Sequence, residues 1–301
     1  MEFIGKTNID FAGKRKIAFA FSGVLSLLGL LAIVMIGLGK ANMGVDFAGG
    51  TSVQLKFEGA VSIDQARKSL ENNGLQADLQ QFAEGNKLLI RIKKSDVQLG
   101  KVADRIVEVF TKDFSGNKFV VESSMEIGPT VGKSLQKDAL VAVIISMLAI
   151  IIYIAWRFEF KFGVAATIAT FHDVLAVLGV LFILNKEITL LTVTALLTIA
   201  GYSLTDTVVV FDRIRENLRS KAKAGLEETI NRSVNEVLSR TIITVLTTFI
   251  ATASIFLFGG EVLHDFALAL LIGLIVGTYS SIFVASPILI LWKAKGVKPI
   301  K

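Results

Sequence analysis

The sequence predicts an α-helical membrane protein, with six transmembrane helices and one compact α+β domain inserted between the first two. Three observations carry this. The 301 residues are 52% hydrophobic, with a mean hydropathy of +0.63. The apolar residues gather into runs, and about 18 or more in a row suffice to cross a hydrocarbon core roughly 30 Å thick. Charged residues make up only 19% of the chain, against about 25% in soluble domains, and most lie between the runs.

The runs are 17–38 (IAFAFSGVLSLLGLLAIVMIGL), 138–156, 162–184, 188–211, 241–258 and 266–292. Lys14, Arg15 and Lys16 precede the first, as basic residues precede a secretory signal. Its apolar stretch is too long for the core of such a signal, and no small-x-small cleavage site closes it. It is expected to stay as an uncleaved anchor.

Lys and Arg in short loops set orientation, because they remain on the cytoplasmic side. Lys6, Lys14, Arg15 and Lys16 stand in the N-terminal tail; Arg157 and Lys161 stand between spans two and three. Arg213, Arg215, Arg219, Lys221, Lys223, Arg232 and Arg240 follow span four, and Lys293, Lys295, Lys298 and Lys301 end the chain. The two short loops of the opposite side hold only Lys186. Both termini are therefore expected in the cytoplasm. The lipid bilayer accounts for the net charge of +6, and no nucleic-acid partner is needed.

Three segments follow: 1–39 with the N-tail and first helix, 40–136 as one external domain, and 137–301 with five helices. Within the external domain, 51–58 (TSVQLKFE) alternates as a strand. Ile63, Ala66 and Leu70 share a helical face over 62–73, with Ser62 as N-cap and Gly74 as stop. Residues 77–82 and 87–93 read as a strand pair turned at Glu84-Gly85-Asn86. Val97, Val102, Ile106, Val109 and Phe110 mark a helix over 96–113, and 118–127 closes with a strand. The order β-α-β-β-α-β is that of a ferredoxin-like sandwich, and such a fold does not reveal its ligand. On the cytoplasmic side, 212–239 is expected to form one or two amphipathic helices. Ile214, Leu218, Leu226, Ile230, Val234 and Val237 would lie along a membrane interface.

An ionisable residue inside a span costs about 2.5–3.5 kcal/mol on insertion scales and marks function by default. Asp206 lies six residues before Asp212, roughly 9 Å inside the helix end. Thr198, Tyr202, Thr205 and Asp206 share a helical face by spacing. A carboxylate taken out of water favours its protonated form, which suits a group that holds and releases protons. Its other reading is a helix-end aspartate reaching the interface. Arg240 opens span five, with Thr244, Thr247, Thr248, Ala251 and Thr252 running inward from it. A guanidinium keeps its charge, so it cannot carry the proton but can hold a carboxylate ionised. An arginine at a helix end also snorkels and serves topology. Asp173 sits near the bilayer middle beside His172, on a face with Ala166, Thr170 and Val177. Its depth demands a partner, in a relay or in a structural hydrogen bond. Span six repeats Ala269, Gly273, Gly277, Ser281 and Ala285 at every fourth residue. This seam fits close helix packing or a docking partner. Pro287 near the end of that span is tolerated.

Other chemistry is excluded. Without cysteine there is no disulfide or thiolate site, and His172 and His264 are too few for a histidine-rich metal centre. No nucleophile–base pair appears, and no Lys-Ser/Thr follows Gly49-Gly50 as in a phosphate loop. The residues read as a non-enzyme without cofactor or metal, and Gly49-Gly50 as a turn into the first strand.

VDFAGGT at 45–51, just outside span one, resembles the signature of the SecD/SecF family of bacterial protein-export membrane subunits. GYSLTDTVVVFDRIREN at 201–217 resembles that family's form of span four. The layout of one span, one domain and five spans is similar over almost the whole chain. The resemblance implies half of an RND-type bundle, completed by a SecD-like subunit into twelve spans that work with the Sec translocon on unfolded preprotein. It implies that the proton-motive force drives late translocation across the bacterial cytoplasmic (inner) membrane. Asp206 and Arg240 are then proton-transport residues, joined by an aspartate from the partner. Asp173 stands in a family-like FHDV segment, and Asp46, Gly49 and Gly50 carry the shared motif. The competing expectations are an RND-type exporter of lipids or small molecules working as its own oligomer, and a passive scaffold.

Overall fold

The protein is described here by a computed structural model covering residues 7–82, 86–92, 101–220 and 225–294. Glu84 and Gly85 of the expected turn lie outside the described residues, as does Val97 of the expected second helix. So do Lys6, Lys221, Lys223, Lys295, Lys298 and Lys301. The chain forms two compact units: 43–141, and 1–42 with 142–301. Helix α1 (Arg15–Gly37) opens the second of these.

Unit 43–141 begins with a short helix, α2 (Val45–Ala48), that the sequence did not announce. It ends at Gly49, with φ 72° and ψ 162°, a backbone region open essentially to glycine alone. A Cβ at Gly49 would also stand 2.9 Å from Pro129 Cα. This pair of constraints explains the first glycine of the motif. Gly50, also at positive φ, starts β1 (Gly50–Phe57). Then follow α3 (Ile63–Asn72), β2 (Asp78–Gln81), β3 (Lys87–Ile92), α4 (Val102–Asp113) and β4 (Phe119–Ile127). Ser62 caps α3 by accepting the Gln65 N–H. The sheet is antiparallel in order β2-β3-β1-β4, the ferredoxin-like arrangement expected from β-α-β-β-α-β. Alternate residues Val53, Leu55 and Phe57 of β1 and Leu88, Ile90 and Ile92 of β3 are buried. They pack with Ala66 and Leu70 of α3 and with Ile106, Val109 and Phe110 of α4, so period-2 and period-3.6 patterns meet in one core.

The remaining helices are α5 (Pro129–Arg157), α6 (Phe160–Ile183), α7 (Leu190–Ser220) and α8 (Leu226–Phe258). Span six is α9 (Glu261–Ser280), a π-helical turn (Ser281–Ala285) and α10 (Ser286–Ala294). Among the described residues, six helical stretches are long and apolar enough to cross a membrane. Span six and α6 are the most enclosed; α5 and α8 are the least.

Glycines set the closest crossings. A Cβ on Gly29 would lie 2.2 Å from the Leu175 carbonyl oxygen, and one on Gly179 would lie 2.7 Å from Gly29 N. Helices α1 and α6 therefore meet backbone to backbone, as small residues allow in a membrane. The seam on span six is used the same way. A Cβ on Gly277 would reach Ser203 on α7 at 3.0 Å, and Ala269, Ser281 and Ala285 are fully buried. The seam packs within the chain and is not left open for a partner.

The segment 212–239 differs from expectation. It forms no separate amphipathic helix on an interface. Helices α7 and α8 run on through it as far as Ser220 and from Leu226. Ile214, Ile230 and Val234 are buried in the bundle core, with Leu218, Leu226 and Val237 packed against it. Charge pairing holds the extensions together. Arg213 meets Glu236 at 2.7 Å, and Asn217 bridges to Ser233 at 3.0 Å and Glu236 at 2.6 Å. The same apolar stripe that would suit a lipid surface is satisfied by the neighbouring helix.

Candidate functional site

The site is built where α6, α7, α8 and the π turn of span six meet. Asp173 of α6 is fully buried. His172 Nδ1 lies 2.9 Å from its Oδ1. Its Oδ2 accepts from Ser203 Oγ of α7 and from Ser280 Oγ at 2.7 Å. The two serines are themselves buried. The expected face of Ala166, Thr170, Asp173 and Val177 is buried throughout. His172 Nε2 is buried with no hydrogen-bond partner.

Asp206 stands one helical turn beyond Ser203 on α7 and is half-buried. Its Oδ1 accepts from Thr241 Oγ1 of α8 at 3.0 Å, and its Oδ2 accepts from Ser281 Oγ at 2.8 Å. Ser280 and Ser281 are adjacent, so their side chains point about 100° apart around the helix. One therefore serves α6 and the other α7. Each serine also has a second acceptor on its own helix: Ser280 at Gly277 O, 3.1 Å away, and Ser281 at Thr278 O, 3.0 Å away.

The backbone here is unusual for a reason. Pro287 has no N–H to return to the preceding turn, and Ser286 Oγ donates to Ser281 O at 2.8 Å. The π turn lies between this proline and the serine pair. Such turns gather at functional sites.

Arg240 is exposed at the head of the apolar part of α8. It lies near enough to act on Asp206 through its charge, and it forms no ion pair among the described residues. Thr244, Thr247 and Ala251 continue its exposed face. The two threonine hydroxyls are satisfied within the helix, Thr244 by Arg240 O at 2.9 Å and Thr247 by Thr244 O at 2.9 Å. On α7, Thr198 and Thr205 are likewise exposed and bonded to their own turns. Tyr202 turns toward α8, its OH 3.5 Å from Thr248 Oγ1. The expected polar stripe thus divides: Tyr202 and Asp206 face α8, and the threonines face outward. Asp46, Gly49 and Gly50 belong to the other unit, where they form the bend from α2 into β1.

Thr241, Ser203, Ser280 and Ser281 were not foreseen as site residues. Hydroxyls are common in membrane helices as packing groups, so only the position opposite each carboxylate marks them. No group of three or more His, Cys, Asp or Glu suited to a metal occurs among the described residues.

Comparison with known proteins agrees with this architecture. The family described as "Protein export membrane protein SecD/SecF, C-terminal" matches residues 106–295, and the SecD/SecF GG motif matches 40–61. A protein translocase subunit SecF from Thermodesulfovibrio yellowstonii is 53% identical over 294 residues, covering 97% of each chain. One from Calditerrivibrio nitroreducens is 43% identical, over 96% of this chain and 95% of that one. The crystal structure of a Thermus SecDF, described as a translocon-associated membrane protein, superposes with a TM-score of 0.84 at 36% identity. That match covers 96% of this chain and 39% of the SecDF chain, so the chain spans about two fifths of it. The six apolar helices, the antiparallel domain and these relatives together place the chain in the SecD/SecF family of protein export membrane proteins.

Proposed function

We propose that the chain works as the SecF half of a SecDF-type unit. With a SecD-like subunit and the Sec translocon, it uses the proton-motive force to drive late preprotein translocation and release across the bacterial cytoplasmic membrane. Both termini face the cytoplasm and unit 43–141 faces outward, which the loop Lys and Arg support. The observation that carries the proton reading is the pair of carboxylates, Asp173 and Asp206, joined through the adjacent hydroxyls of Ser280 and Ser281.

Asp206 holds the proton in transit. While ionised it accepts from Thr241 Oγ1 and Ser281 Oγ. When a proton arrives on Oδ2, Ser281 loses that acceptor and turns to Thr278 O. Ser280 has the same choice between Asp173 and Gly277 O. Each hydroxyl is a two-position switch, and the two share a backbone, so a change at one carboxylate reaches the other without an added charge. Arg240, which makes no ion pair with Asp206, favours the ionised carboxylate through its charge alone and so leaves a proton free to bind. Its exposed face with Thr244 and Thr247 suits a bundle completed by a second protein that supplies another carboxylate.

Replacing Asp206 with Asn keeps the shape and one acceptor oxygen, puts an amide donor in place of the other, and removes the titrating group. The expected result in a SecF-depleted strain is loss of proton-dependent preprotein release, with normal membrane levels and normal co-purification of SecD. Wild-type export by the Asp206→Asn chain would leave a passive scaffold as the better reading.

A further inference from the structure

We infer that the cleft lined by Arg157, Asp212, Arg215, Glu216, Arg219 and Ser220 is a binding site for the phosphate of an anionic phospholipid. The inference needs only that the helices span a membrane, and it stands apart from the proton-relay reading.

The cleft is open, with a volume of ~630 Å³, at the end of α5 and the charged extension of α7. Its charges do not balance. Asp212 accepts from Arg157 at 2.8 Å and lies 3.7 Å from Arg215. Glu216 is drawn away to Arg213 at 2.6 Å. Arg219 is exposed and forms no ion pair among the described residues. Three guanidinium groups therefore share one available carboxylate. Arg157 and Arg215 are also fixed in place, each stacked near the buried Phe158 ring, at 5.0 and 5.4 Å from its centroid. A phosphodiester supplies one negative charge and oxygens that match the guanidinium fork.

The level of the cleft argues for a lipid as its source. Trp156, next to Arg157, is 85% exposed, and Phe160 packs against Trp292 at 5.9 Å on the neighbouring helix ends. Aromatic residues of this kind mark the headgroup region of a bilayer. A headgroup in the cleft would leave its acyl chains along the apolar and largely exposed surface of α5, where Ile145, Leu148 and Ile152 face outward. Basic pockets between spans at the membrane surface recognise anionic headgroups on this principle.

The test uses the full chain in nanodiscs of mixed phosphatidylcholine and phosphatidylglycerol, released for native mass spectrometry. The wild type is expected to retain phosphatidylglycerol preferentially. Arg219→Gln should lower that preference about fivefold, the effect of one arginine at an anionic surface, while Arg219→Lys keeps most of it. Arg215→Gln with Arg219→Gln should abolish it. Arg219 carries no fold-bearing ion pair, so its single variants report even if the double variant is unstable. Equal retention of the two lipids by the wild type, or an unchanged preference in Arg219→Gln, would overturn the site. Displacement of the lipid by millimolar inorganic phosphate would overturn the lipid as its ligand.

Discussion

A carboxylate out of water persists only where other donors replace its hydration. Asp173 and Asp206 are served mainly by hydroxyls, which donate without charge and can turn away again. A lysine or arginine in the same place would hold the carboxylate ionised and resist the arrival of a proton. The one nearby arginine, Arg240, stands at the exposed edge. Its fork geometry separates a clamp from a snorkelling topology signal. Arg240→Lys keeps the charge and the reach to the interface but loses the fork with which a guanidinium can grip a carboxylate bidentately. We expect it to assemble with SecD normally and to lower preprotein export at least tenfold; near-normal export would assign Arg240 to topology alone. Both aspartates were legible in the sequence, because a charge inside an apolar run stands out. Ser203, Thr241, Ser280 and Ser281 were not, because a hydroxyl in a membrane helix looks the same whether it packs or serves a neighbour.

Among elements, the helix extensions and the N-terminal strap were the least legible. The charge density of 212–239 looked like an interfacial segment, yet pairs such as Arg213–Glu236 and Asn217–Ser233 bind one extension to the other. The apolar periodicity was read correctly; its covering surface is set by tertiary contact. Residues 9–12 lie on α8 as a strap. Asn235 pairs with both the N–H and C=O of Ile9, and Asn231 Oδ1 accepts from Phe11 and Ala12. Asp10 joins it, accepting from Gly13 N at 2.9 Å and Asn231 Nδ2 at 2.7 Å. The Gly13 N–H, and next the Asn231 amide, hold the Asp10 carboxyl below its ordinary 3.8. A depressed value means the clip contributes fully above that pH and is lost as the pH falls through the lower folded value. Amide-exchange protection at Ile9, Phe11 and Ala12 should therefore stay level from neutral pH to about 4. Below that it should fall in the wild type, and it should lose this step in Asp10→Asn. An identical profile in both chains would remove Asp10 from the clip.

For the whole molecule, the class was the most legible feature, since six apolar runs and one β-α-β-β-α-β pattern leave few architectures. The short helix α2 and the π turn escaped notice. The first is too brief for a periodicity, and the second showed only as Pro287 and a row of small residues. Beside the partly buried Asp206, bonded to Thr241, the adjacent Arg240 opens an exposed stripe that runs through Thr244 to Thr247. The most direct measurement is proton flux through proteoliposomes holding this chain with its SecD-like partner, read by a trapped pH dye under an imposed gradient. The account predicts preprotein-dependent acidification that Asp206→Asn abolishes and Asp173→Asn reduces, with both variants assembled. Unchanged flux in Asp206→Asn would contradict it.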